Sequence, residues 1–133
     1  MDLSQSMKRI AEEIDGQHSA YDINKSVVIV PLQESRFQSV IVTIEKSEKF
    51  NNLEGVVFTS KVCEYSQDLN LKELLEENGR LCYSKFVLDE YYLKVEASTL
   101  VYSANDALLK EIVLEVGQVA DDWENKLTGM DVN

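Results

Sequence analysis

One histidine, one proline, one tryptophan, two cysteines and five glycines are all that this chain of 133 residues holds of the types that most often build metal sites, nucleophilic centres or sharp turns. With His18 alone, no Cys/His set has the spacing of a zinc site. No serine sits in a GxSxG elbow and neither cysteine has a base near it in sequence, so a nucleophile-base pair has no local support. The glycines occur singly, without GxGxxG or a GK[ST] loop, which leaves phosphate cradling without a motif. Cys63 and Cys82 lack CxxC spacing and read as structural thiols of a reducing compartment. No catalytic residue, metal or cofactor is therefore expected.

Long apolar runs are also missing. Nothing approaches the roughly 20 apolar residues of a membrane span, and the opening MDLSQSMKRIAEEI is broken by charge where a signal peptide would be apolar. A cytoplasmic location is the expectation. Positive charge is scarce, with 13 basic residues against 24 acidic ones and a formal net charge of -11. A field of that sign repels nucleic-acid backbones and anionic lipid, and it steers cationic peptides inward. The length suits one domain, residues 1–133, with a core of its own.

What the chain does have is periodicity. Residues 103–127 repeat apolar side chains at helical spacing: Leu108, Leu109, Ile112, Val113, Val116, Val119, Ala120, Trp123 and Leu127 fall in an arc roughly 140° wide on a wheel of about 100° per residue. Lys110, Glu111, Gln118, Asp121, Asp122 and Asn125 fill the remaining arc, so one side should be wet. Ser103 with Asp106 supplies an expected cap. Gly117 lies inside this helix, and either close approach of another backbone or simple tolerance accounts for it.

Earlier in the chain, Leu3, Met7, Ile10 and Ile14 predict a short opening helix capped by Asp2 or Ser4 and stopped at Gly16. Residues 17–24 are polar and read as a linker. Val27 to Val30 form a β-branched run closed by Pro31, and residues 37–46 alternate as its hairpin partner after a turn at Glu34 and Ser35. Residues 47–55 read as a loop, and residues 56–63 resume the alternation. Asn70 with Glu73 caps a short leucine helix that ends near Asn78 and Gly79. Residues 83–89 and 91–101 then make the clearest hairpin. The tail after Gly129 reads as loose.

The expected fold is α+β, in the order α-β-β-β-α-β-β-α. A five-stranded, mainly antiparallel sheet is covered by the N-terminal helix and the long C-terminal helix. Val40, Val42, Ile44, Val56, Phe58, Val62, Val95 and Ala97 should face the helices. Ser39, Ile41, Thr43, Val57, Thr59, Lys94 and Glu96 should line the other face, where Ile41 and Val57 stand apolar among polar neighbours. Glu111, Glu115, Asp121 and Asp122 should be solvated. Leu114, with Ala107 on the polar arc, and the strand-end tyrosines, Tyr92 among them, complete the candidate partner-contact residues.

The stretch LKELLEENGRLCYSKFVLDEYYLKVEAS, followed by SANDALLKEIVLEVGQVADDWENKL, resembles the YbjN-like family, which has the type III secretion chaperone-like fold. The resemblance covers about residues 70–127 and rests on apolar spacing with one asparagine, Asn78. It implies a small acidic homodimer that binds protein, as a chaperone holding an extended client segment or as a regulator, and it carries over no catalytic position. The expectation is a non-enzymatic protein-binding module with a protein or peptide partner, basic in character, and with neither nucleic acid nor membrane as a ligand. The alternatives are a structural homodimer subunit without a client, or a hydrolase or transferase whose carboxylates meet only in the fold.

Overall fold

A computed structural model describes residues 1–129. The loose tail expected after Gly129 lies outside the described residues. The chain opens with helix α1 (Leu3–Glu13), whose first turn is capped by the Asp2 carboxylate accepting from the Gln5 amide. Four strands follow: β1 (Gln17–Asp22), β2 (Lys25–Pro31), β3 (Phe37–Lys46) and β4 (Glu54–Glu64). Helix α2 (Leu71–Asn78), strands β5 (Lys85–Asp89) and β6 (Tyr92–Leu100), and helix α3 (Asp106–Glu124) complete the order. The sheet is antiparallel and runs β1-β2-β3-β4-β6-β5.

The sheet thus has six strands, where five were expected. The additional one is β1, in the stretch expected to be a linker. It pairs with β2 from Gln17 opposite Ile29 to Asp22 opposite Lys25, through a tight turn in which the Asn24 amide donates to Asp22 Oδ1 at 2.7 Å. As an edge strand it has an almost wholly exposed residue pattern, so its backbone ladder forms without the apolar alternation that marks a half-buried strand. His18 lies on it, with Nε2 3.1 Å from the hydroxyl of fully buried Ser26. Burial first, and the charge of Lys8 second, push that imidazole below its ordinary value.

One core lies between the sheet and the helices. Leu3, Met7 and Ile10 of α1, Leu109, Ile112, Val113, Val116 and Ala120 of α3, and Val28, Val40, Val42, Val56, Phe58 and Val95 of the strands are all buried in it. The long helix is shorter than residues 103–127. Ser103 belongs to a preceding 3-10 turn (Val101–Ser103), and Asn105 caps α3 by accepting from the Leu108 amide at 2.9 Å. Asp106, expected to complete a Ser103 cap, instead holds Arg9 of α1 at 2.8 Å. Beyond Glu124 the chain widens into a π turn that carries Leu127.

The buried arc of α3 is also rotated from the expected one. Gly117 and Asp121 are buried, while Leu108, Val119 and Trp123 are half-exposed. Gly117 sets this rotation. A Cβ there would meet Val30 of β2 at 3.2 Å, so the glycine turns its side of the helix into the sheet.

Candidate partner-binding surfaces

Ile41, Val57 and Tyr92 all stand on the sheet face that carries no helix, whereas Leu114 is on the helical layer. Ile41, between Val27 and Thr59 in register, is 37% exposed. Val57 corrects the expectation of a second wet anchor, since it is 6% exposed although it points away from the helices. The residues 48–52 turn comes over this end of the sheet: Phe50 is itself buried, and its ring lies where Gly55 lacks a side chain, so that a Cβ at Gly55 would overlap it. Lys49 fastens the same turn to Glu96 of β6 at 3.5 Å. Tyr92 lies half-buried at the start of β6, with the Lys61 ammonium 4.7 Å from its ring centre.

Phe37 was not singled out in the sequence, yet it is 61% exposed on this face, opposite Pro31 and diagonal to Ile29. Its position at the first residue of an alternating strand, out of phase with Val40 and Val42, was the available signal.

Leu114 is 37% exposed and lies in the cleft where α1 and α3 meet, with Arg9, Glu13, Ala107 and Lys110 around it. Lys110 reaches Glu13 across that cleft at 3.7 Å. The leucine is thus half-sheltered by the chain's own first helix and far from the bare face.

A second apolar surface was missed. Helix α2 buries only Leu74 and leaves Leu71 41% and Leu75 70% exposed. These leucines, with Phe86, Leu88 and Leu93, bound a groove of about 250 Å³ beside the free edge of β5. Asn78 spans the groove's floor. Its Oδ1 accepts from the Phe86 amide at 2.7 Å and its Nδ2 donates to the Phe86 carbonyl at 3.5 Å, so it occupies the outward backbone groups of that edge residue as a neighbouring strand would. Outward-pointing groups recur every second residue. Leu88, 49% exposed, therefore offers the next outward N–H and C=O to whatever lies alongside.

Of the carboxylates expected to be solvated, Glu111 and Asp122 are exposed, Glu115 is half-buried and Asp121 is buried. Glu115 accepts from the amides of Cys82, Tyr83 and Ser84 at 3.1, 2.8 and 2.7 Å. Burial acts to raise its pKa, but the Ser84 hydroxyl, close though outside hydrogen-bond geometry, and the three amides outweigh it and hold the pKa below the usual value. Tyr83 donates its hydroxyl to Glu111 at 2.6 Å, and that bond above all pushes the phenol up to about 12. Together they strap the residues 81–84 loop onto α3.

Asp121 is 2% exposed rather than solvated. Arg36 reaches it from the β2–β3 turn, with Nε 3.2 Å from Oδ1 and 3.0 Å from Oδ2. Glu34 holds the other side of the guanidinium at 2.8 Å. Glu124, one turn further on, borders a cleft with Cys63, Asp68 and Leu69. Burial and the Asp121 charge raise its carboxyl pKa against a lowering from Lys61. Burial likewise pushes the Cys63 thiol up, which keeps it in its protonated, weakly nucleophilic form. Glu64 and Asp68 also line this cleft, while Asp121 is bound to the Arg36 guanidinium beside it.

No protein-family model matches the chain, and no curated protein matches it. Among the described residues, no helix is long and apolar enough to cross a membrane.

Proposed function

We propose that the protein is a non-catalytic binding module that holds an extended segment of a partner protein along the edge of β5, under α2. The observation that carries this reading is the pairing of three exposed leucines, Leu71, Leu75 and Leu88, with an open backbone edge at Leu88. A short helix that leaves two of its leucines in water gains little from folding alone. A strand laid against β5 would take hydrogen bonds from the Leu88 backbone and put alternate apolar side chains into the groove.

The partner's chemistry follows from the surroundings. Helix α2 contributes Glu73, Glu76 and Glu77 against Lys72, and the whole chain carries -11, so a segment alternating apolar with basic residues is favoured in encounter. The likeness of residues 70–127 to the YbjN-like family supports the same reading, because the quoted stretch contains the helix and the hairpin that form the groove. A client-holding chaperone and a regulator both use such a surface, and both are non-enzymatic.

The test compares partner capture by the parent chain with capture by Leu75→Asp and by Leu88→Lys, followed by mass spectrometry of what is retained. A protein kept by the parent and lost from both variants, with circular dichroism unchanged, supports the reading. Retention of the same protein by both variants moves the site elsewhere.

A further inference from the structure

Among the described residues the helices cover one face of the sheet only, and the other face is less acidic than α2 and α3. On its outward positions Lys25, Lys61, Lys85 and Lys94 are nearly balanced by Asp22, Glu45, Glu64, Asp89 and Glu96. Helices α2 and α3, by contrast, carry nine acids against two lysines. The excess negative charge of a chain at -11 therefore lies mostly off the bare face. Amid the nearly balanced charges runs an apolar band of Val27, Ile29, Phe37 and Ile41, of which Phe37 is 61% and Ile41 37% exposed.

We propose that this face is the contact between two copies of the chain, packed sheet to sheet. A strongly charged partner of either sign would find about half the face's charges repulsive. A second copy brings the same mixture, so each lysine can be set against an acid. It also places the two acidic helical layers on the outside, as far from each other as the assembly allows. The extent is sufficient. Six strands about 4.8 Å apart and about seven residues long, at roughly 3.3 Å per residue, give a footprint near 650 Å², comparable with the roughly 800 Å² of accessible surface per partner in a stable interface. The contact is separate from the α2–β5 groove and does not depend on it.

Its salt dependence is the distinguishing property. Contact is apolar and locally near neutral while the whole chains repel, so salt that screens the long-range repulsion strengthens the dimer. A complex with a basic client weakens under the same change.

Sedimentation equilibrium of the parent at about 0.1 M and about 1 M sodium chloride, where the screening length falls from about 10 to about 3 Å, reads this directly. A dimer is expected whose dissociation constant falls severalfold at the higher salt. Ile41→Asp and Phe37→Asp should each raise that constant at least tenfold while Leu75→Asp leaves it unchanged, which separates this contact from the groove. Should either face variant fail to fold, acetylation of the parent's lysines decides: Lys61 and Lys94 become protected as concentration rises, and Lys72 does not. A parent that stays monomeric at about 200 µM in both salts overturns the proposal. So does a dimer that weakens with salt or that protects Lys72 instead of Lys61 and Lys94.

Discussion

Gly117 of α3 and Val30 of β2 are so close that a methyl group on the glycine would stand 3.2 Å from the valine Cβ. Replacing glycine by alanine inside a helix ordinarily stabilises by about 1 kcal/mol. Here the neighbour is a fully buried β-branched side chain whose Cβ moves only with its strand, and overpacking costs about 1 to 3 kcal/mol. Gly117→Ala should therefore lower stability by about 1 kcal/mol in urea denaturation. Val30→Ala added to it should cost less than Val30→Ala alone. A stabilised Gly117→Ala single variant would show that α3 can lift from the sheet without loss.

The Arg36–Asp121 pair should be strongly non-additive. Asp121 is 2% exposed, and its carboxylate depends on the guanidinium. Removing the arginine leaves a buried charge unpaired, at a cost of about 3 to 5 kcal/mol. Arg36→Met should destabilise severely, and Arg36→Met with Asp121→Leu should recover most of the loss. A double-mutant cycle in thermal denaturation measures this, and equal, additive effects would mean that the pair is merely a surface contact.

Much of the fold was legible because burial imposes a period. Strand β3 forms over residues 37–46 as its alternation requires, and α1 and α2 begin at the caps that Asp2 and Asn70 offer. Strand β1 was illegible because it is an edge whose side chains meet water on both faces, so only backbone pairing makes it a strand. Asp121 was misplaced by counting it polar. The α3 arc follows Gly117 into the sheet and carries Asp121 with it, and the compensating charge comes from residue 36, far away in sequence. Val57 has the exposed phase of its strand yet is buried, at the end of the sheet where the residues 48–52 turn lays Phe50 against Gly55. Of the candidate contact residues, Ile41 and Tyr92 are on the bare face, whereas Leu114 is on the other layer. The α2–β5 groove depends on two elements meeting and has no signature in either alone.

The strap formed by Glu115 and Tyr83 makes two pH-dependent contributions of opposite sign. Glu115 has a lowered folded pKa, so its contribution is present above the unfolded value of about 4.3 and is lost as pH falls through the folded one. Tyr83 has its pKa raised to about 12, so its contribution is present below about 10 and is lost as pH rises toward 12. Glu115→Gln should thus be less stable than the parent near pH 7, with the gap closing in acid. Tyr83→Phe should be less stable at neutral pH, with the gap closing in alkali. Melting temperatures across pH test both, and a gap that stays constant with pH would assign the loss to packing.

Asn78 guards the free edge of the sheet. Its side-chain amide takes both outward backbone groups of Phe86, and removing it would leave two consecutive outward rungs, at Phe86 and Leu88, open beside exposed Leu71 and Leu75. An unprotected apolar edge is a template for further strands. Asn78→Ala should cost about 1 to 3 kcal/mol through the unpaired amide, and it should also make the protein associate beyond the parent's own state as concentration rises. Asn78→Asp keeps the acceptor for the Phe86 amide while losing the donor, so it should retain more stability than the alanine variant. Light scattering follows association and denaturation follows stability. The two effects have separate causes: Leu75→Asp in the alanine background should suppress the association, by placing a charge beside the open edge, without restoring the stability. An alanine variant that loses stability yet associates no further than the parent at any concentration would show that α2 alone shields β5, and that the asparagine only ties the two together.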